Sequence, residues 1–169
     1  MSPGAFAYLG GMVLACAALA ISRRNPVHSV LWVLVMFFHL AAIYLLLGAE
    51  FLAAVQVIIY AGAILVLFLF AIMVLNIRQE EMGPRFSGGW PLALALVLAL
   101  AVMLLGAWGS LRLPEAGPFG PELLAQKGGH TKALGEVLYT TYLLPFELAS
   151  LVLLVAIIGA IVLAKKRLK

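Results

Sequence analysis

The chain has 169 residues, 65% of them hydrophobic and only 11% charged, with a mean hydropathy of +1.14. A soluble domain carries roughly 45–50% apolar and about 25% charged residues, and one of this size buries only about two thirds of its chain surface. A soluble enzyme, a secreted disulfide scaffold, a disordered tail and a nucleic-acid binder are therefore poor readings, and lipid must be the main solvent.

A helix needs about 20 apolar residues to cross the hydrocarbon core. The first stretch of that kind runs from about Gly4 to Ile21. It holds Cys16, the single cysteine, so neither an intrachain disulfide nor a cysteine metal cluster can be built. The first 22 residues lack a basic n-region, and an ordinary cleaved signal peptide is not expected. After Arg23-Arg24-Asn25-Pro26 comes the second span, Val27 to Leu47. Its His28 and His39 stand about 16 Å apart along the axis, too far to share one iron or other metal ion. His39 reads as a neutral, hydrogen-bonded side chain.

A tight turn, Gly48–Glu50, leads into the third span, Phe51 to Leu75. A charged loop, Arg78–Gly89, precedes the fourth span, Trp90 to Trp108. A longer connection, 109–142, carries Pro114, Pro118, Pro121 and the Gly128–Gly129 pair. It has room for a short amphipathic helix near Pro121–Gln126 and otherwise reads as a surface connection. The fifth span is Leu143 to Ala164. Strand alternation is absent, and lipid demands that every backbone amide be paired. The expected fold is thus all-α: one polytopic membrane domain, 1–169, of five transmembrane helices.

Five spans put the termini on opposite sides. Arg23, Arg24, Arg78, Arg85, Lys165, Lys166, Arg167 and Lys169 fall on one side; Arg112, Lys127 and Lys132 fall on the other. The positive-inside rule makes the first set cytoplasmic. The N-terminus is expected outside, the C-terminus inside, and the 109–142 loop outside. The +4 charge therefore follows the bilayer and not a nucleic acid. Trp32, Trp90, Trp108, Tyr8, Tyr44, Tyr139 and Tyr142 fall near span ends, as in interfacial aromatic belts.

Tyr60 does not. It lies about 13 Å into the third span, where its hydroxyl meets neither water nor headgroup and needs a partner. Gln56 is four residues earlier, on the same helical face. Ala61, Gly62 and Ala63 follow at once, and small residues admit a neighbouring backbone. The span is also long, about 37 Å as a straight helix against a core of about 30 Å. Two explanations stay open. One is a tilted helix with a small-residue packing seam and an ordinary interhelical hydrogen bond at Tyr60. The other is an inserted residue, a π-bulge near Tyr60–Gly62, a feature frequent at functional sites. Glu50 and Glu147, at the outer ends of spans three and five, read either as helix-end charges near water or as proton stations. No Glu, Lys or Arg sits at a midplane, so this chain alone supplies no proton relay.

Three ordered blocks resemble a known family. They are Arg24-Asn25-Pro26-Val27-His28-Ser29-Val30-Leu31-Trp32, the run from Ala49-Glu50-Phe51 through Gln56-Val57-Ile58-Ile59-Tyr60-Ala61-Gly62-Ala63 to Phe70, and Leu144-Pro145-Phe146-Glu147-Leu148-Ala149-Ser150. The chain resembles the J-type small membrane subunit of bacterial NADH:quinone oxidoreductase, complex I, the counterpart of the sixth core membrane subunit encoded in mitochondria. The resemblance covers nearly everything but the outer loop.

It implies a non-redox subunit of the bacterial inner membrane with no cofactor of its own; NADH, FMN, iron–sulfur clusters and quinone belong to other subunits. Its implied partners are the quinone-site H-type, the A-type, the K-type and the first antiporter-like N-type subunits. It also implies that the third helix changes between π-bulged and α forms as quinone is reduced. Tyr60, Gly62 and Gln56 would then gate a water path and couple quinone reduction to proton pumping. The alternatives are a homologous subunit of a related complex, with another electron donor or as part of a multisubunit cation/proton antiporter, and a purely structural membrane adaptor. A stand-alone transporter would want midplane charges or paired broken helices, and neither is seen.

Overall fold

The computed structural model describes residues 2–75, 89–108 and 120–165. The loop residues Arg78, Arg85, Arg112, Pro114 and Pro118, and Lys166, Arg167 and Lys169, lie outside the described residues. The chain divides into two compact units, 1–117 and 118–169. Every regular element among the described residues is helical, and five helices are long and apolar enough to cross a membrane.

In the first unit, α1 is Pro3–Ser22, α2 is Pro26–Leu46, α3 is Glu50–Leu75 and α4 is Trp90–Trp108. In the second, α5 is Pro121–Gln126, α6 is His130–Tyr139 and α7 is Leu143–Ala164. The five long helices begin and end within a residue of the apolar runs.

The helix ends follow local chemistry. Pro26 opens α2 at a position where its missing N–H costs nothing. The Asn25 side chain caps that helix by accepting from the Val27 N–H at 2.9 Å. Gly48, with φ of +73°, closes α2 in the left-handed conformation. The Ala49 N–H then returns to the Tyr44 carbonyl at 2.9 Å. The reversal is tight, and α3 starts at Glu50.

α2 packs against α1 on one side and α3 on the other. The buried apolar positions in these helices are mostly small: Cys16 and Ala20 on α1, Val30 and Ala41 on α2, Ala53, Ala61 and Leu65 on α3. Small residues let helix backbones approach where lipid, as apolar as leucine, offers no hydrophobic drive to associate. The large apolar side chains point outward. Leu105 is 75% exposed and Leu163 is 89% exposed, an arrangement that water would not tolerate over so wide an area.

The connection 109–142 holds more than a surface loop with one short helix. α6 is a second helix there. Gly128 and Gly129, with φ of +81° and +105°, end α5 and redirect the chain. Ala133 is buried, while Glu136 stays exposed and pairs with Lys127 across the bend at 2.8 Å. The Tyr139 and Phe146 rings, 5.1 Å apart and edge-on, join α6 to α7.

Cys16 is 1% exposed, so the α1–α2 contact has no spare volume there. Cys16→Leu is expected to cost about 1–3 kcal/mol by overpacking, measured as an earlier thermal unfolding transition in detergent. Glu136→Gln, at an exposed ion pair, is expected to cost less than about 1 kcal/mol in the same assay.

Candidate functional site

The third span is not a uniform helix. Glu50–Val55 is α-helical, Gln56–Ile64 is π-helical and Leu65–Leu75 is α-helical again. In the π stretch each N–H reaches back five residues in place of four. At its end, the Leu65 N–H bonds the Tyr60 carbonyl.

The buried positions of α3 show what the change of register does. They are Ala53, Gln56, Ala61 and Leu65. Steps of three and four keep a face in an α-helix, but the five-residue step from Gln56 to Ala61 would swing it by roughly 140°. The wider π turn restores Ala61 and Leu65 to the side that packs on α2. In a regular α-helix continued from Ala53 and Gln56, that side would instead receive Tyr60 and Ile64, four and eight residues beyond Gln56.

Gly62 suits the π form. A Cβ built there would stand 3.3 Å from the Val57 carbonyl oxygen, five residues back and tighter than ordinary contact. The bare glycine leaves that carbonyl room.

Gln56 is 4% exposed and is the buried polar side chain of the described residues. Its amide makes no hydrogen bond among them and reaches the open space beside it; the fully buried side-chain atom without a partner is His130 Nδ1. Gln56 borders a cavity of about 380 Å³ between α2 and α3, lined by Phe37, Leu40 and Tyr44 on one helix and Leu52, Val55, Gln56 and Tyr60 on the other. Tyr60 stands at the edge of this space. Its ring meets Phe37 edge-on at 6.0 Å, it is 46% exposed, and its hydroxyl has no partner among the described residues. The site thus holds an amide and a phenol without protein partners beside a cavity large enough for water. Polar groups without protein partners in an apolar setting are normally satisfied by ordered water or by another chain.

None of the other singled-out residues lines this cavity. Glu50 is the exposed first residue of α3, where a carboxylate favours the positive helix end. Glu147 is exposed in the second turn of α7, in the other compact unit. His39 Nδ1 is 2.8 Å from the Val35 carbonyl. A carbonyl only accepts, so Nδ1 carries the hydrogen and the ring is satisfied within its own helix. No three His, Cys, Asp or Glu side chains converge among the described residues. Two contributors were not read from the sequence as part of the site: Phe37, and Tyr44, taken as an interfacial belt residue. Their signal is the α2 face Phe37, Leu40, Tyr44, at helical spacing.

The model of the NADH-ubiquinone/plastoquinone oxidoreductase chain 6 family matches residues 16–163, which include α2 and all of α3. The chain belongs to this family. Among similar proteins, NADH-quinone oxidoreductase subunit J of Rhodobacter capsulatus is 40% identical, with 92% of this chain and 78% of that one covered. NADH-ubiquinone oxidoreductase chain 6 of Cyanidium caldarium is 38% identical over 94% and 81%. NAD(P)H-quinone oxidoreductase chain 6 of Synechocystis is 37% identical over 96% and 80%. The family match and the five long apolar helices make this a membrane protein.

Gly62→Ala is expected to disfavour the π register, because the added methyl crowds the Val57 carbonyl. Ala61→Leu is expected to do the same by enlarging the residue placed against α2. A structure of either variant should show the Leu65–Leu75 half turned by about 100°, one residue's worth of rotation, with Tyr60 moved onto α2.

Proposed function

We propose that the chain is a non-redox membrane-arm subunit of a proton-translocating NADH:quinone oxidoreductase, and that its third helix couples quinone reduction to proton pumping. The observation that carries this reading is the π stretch Gln56–Ile64 in a family member, with Gln56 and Tyr60 unpartnered beside a cavity. A shift of that stretch to α register exchanges Ala61 for Tyr60 at the α2 face. It brings a hydroxyl to a point otherwise lined by a methyl group, and so makes or breaks a water path without a large movement elsewhere.

In this reading the protons cross on carboxylates of neighbouring subunits, of the H-, A-, K- and N-types, and this chain controls whether water connects them. Redox cofactors belong to other subunits. Glu50 and Glu147 serve helix ends facing the outer side. The chain sits in the bacterial inner membrane with its N-terminus outside and its C-terminus in the cytoplasm, an orientation that the arginine-rich α1–α2 junction supports.

The relatives' names favour one second reading, the same role in an enzyme with a different electron donor, since the Synechocystis protein is an NAD(P)H-quinone oxidoreductase chain. Identification of the co-purifying subunits separates the two. An NADH-oxidising arm is the expected finding, and a stable, active monomer would contradict both readings.

Tyr60→Phe is expected to assemble normally and to slow coupled quinone reduction or proton pumping by about fivefold, the equivalent of one neutral hydrogen bond of about 1 kcal/mol. Initial rates of NADH oxidation by quinone and of proton uptake in reconstituted vesicles measure it. Unchanged pumping would leave Tyr60 a packing residue.

A further inference from the structure

A second cavity, of about 410 Å³, lies where α1 passes into α2 and is lined by Arg23, His28, Leu31, Trp32 and Val35. We infer that it is a binding site for the phosphate and first acyl carbons of an anionic phospholipid. The inference rests on the membrane-spanning fold and not on the switch in α3.

The turn between the two spans is only residues 23–25, so these side chains stand at the edge of the hydrocarbon. Arg23 is extended at the end of α1, and its guanidinium carbon lies 5.8 Å from the centroid of the Trp32 ring. A cation–π contact at that distance holds the guanidinium beside the ring without using its N–H donors. Among the described residues no ion pair takes up those donors. His28 is one turn before Trp32 on the same stripe of α2 and contributes a further donor at the mouth.

The walls below the mouth are apolar. Leu31 and Val35 continue the stripe, and Val35 is about 10 Å deeper than His28, the reach of the first several methylenes of a lipid chain. A cationic mouth over an apolar wall fits an anionic headgroup above its own chain. Basic pockets on the cytoplasmic side of a membrane bind such headgroups, and the orientation proposed above puts this one there, each cation near the surface contributing about 1 kcal/mol. A free phosphate would use the mouth alone. A zwitterionic lipid would lose the net charge attraction.

The test uses the intact complex that contains this chain, stripped of lipid by detergent. Phosphatidylglycerol, phosphatidylcholine and inorganic phosphate are each titrated, with bound phosphate read by native mass spectrometry. Phosphatidylglycerol is expected to bind at least fivefold more tightly than phosphatidylcholine. Arg23→Gln is expected to weaken it about fivefold, the equivalent of one lost surface cation. Equal affinity for the two lipids, or unchanged binding in Arg23→Gln, overturns the inference. So does inorganic phosphate that matches the lipid's affinity. A measurement on the unsubstituted complex guards against a variant that fails to assemble. A photoactivatable phosphatidylglycerol is expected to attach within residues 23–35 of this chain, and attachment confined to other segments overturns the site.

Discussion

Within a bilayer every backbone N–H and C=O has to find its partner inside the protein. This one constraint shapes the third span more than any side chain does. A segment of α3 can change its facing only by a route that keeps nearly all of the backbone paired, and a change from four-residue to five-residue hydrogen bonding is such a route. The π stretch Gln56–Ile64 is the result. It moves the buried face by one residue, from the positions that would carry Tyr60 and Ile64 to those that carry Ala61 and Leu65, while the helix continues on both sides. The cost is one backbone hydrogen bond fewer than the α form. In an apolar medium that is a gross loss of about 4–6 kcal/mol, offset by fitting a methyl group in place of a phenol between two closely packed helices and by leaving the phenol at the cavity edge.

The rest of the architecture follows the same economy of small contacts. α1, α2 and α3 meet through Cys16, Ala20, Val30, Ala41, Ala53, Ala61 and Leu65. α4 has no buried position in its candidate span, and α7 likewise has none. Helices this apolar and this little buried are suited either to lipid or to other helices. Membership of a family whose relatives are named as subunits or chains of an oxidoreductase favours other helices for at least part of that surface. The small interior then stops being a weakness, because a chain held by neighbours on its outer faces needs few internal contacts of its own.

Much of this fold was legible because the bilayer makes length and hydropathy decisive. Runs of about 20 apolar residues between Arg23-Arg24, Gly48 and Pro145 have few alternatives in lipid, and the five long helices lie where those runs do. α6 was less legible. Its sequence, HTKALGEVLY, interrupts the apolar positions with Gly135 and sits behind two glycines, so local pattern alone favoured a loop; burial of Ala133 and the Tyr139–Phe146 contact decide it. In the candidate site, Tyr60, Gln56 and Gly62 stood out as polar or small residues deep in oil. The extent of the π stretch did not, because it depends on which residues α2 accepts, and that is a property of two helices. Phe37 and Tyr44 were missed for the same reason. On α2 alone they are an ordinary aromatic pair, and only the facing surface of α3 makes them walls of a cavity.

The absence of a midplane charge in this chain bears on the kind of work it can do. A carboxylate that relays protons must change its own charge, and its burial is costly in either register of a neighbouring helix. A phenol and an amide stay neutral. Their displacement costs hydrogen bonds but no ion desolvation, which is what the proposed change of register asks of the residues it moves. Such a shift is limited by how differently the surroundings bind the two registers. For this chain those surroundings are specific: the α2 surface that receives either Ala61 or Tyr60, and the cavity that either keeps or loses the Tyr60 hydroxyl at its rim. On the proposed reading, a neighbouring subunit that presses on α2 near Phe37, or hydrates that cavity, would act on the register directly, with no charged residue placed in the bilayer centre.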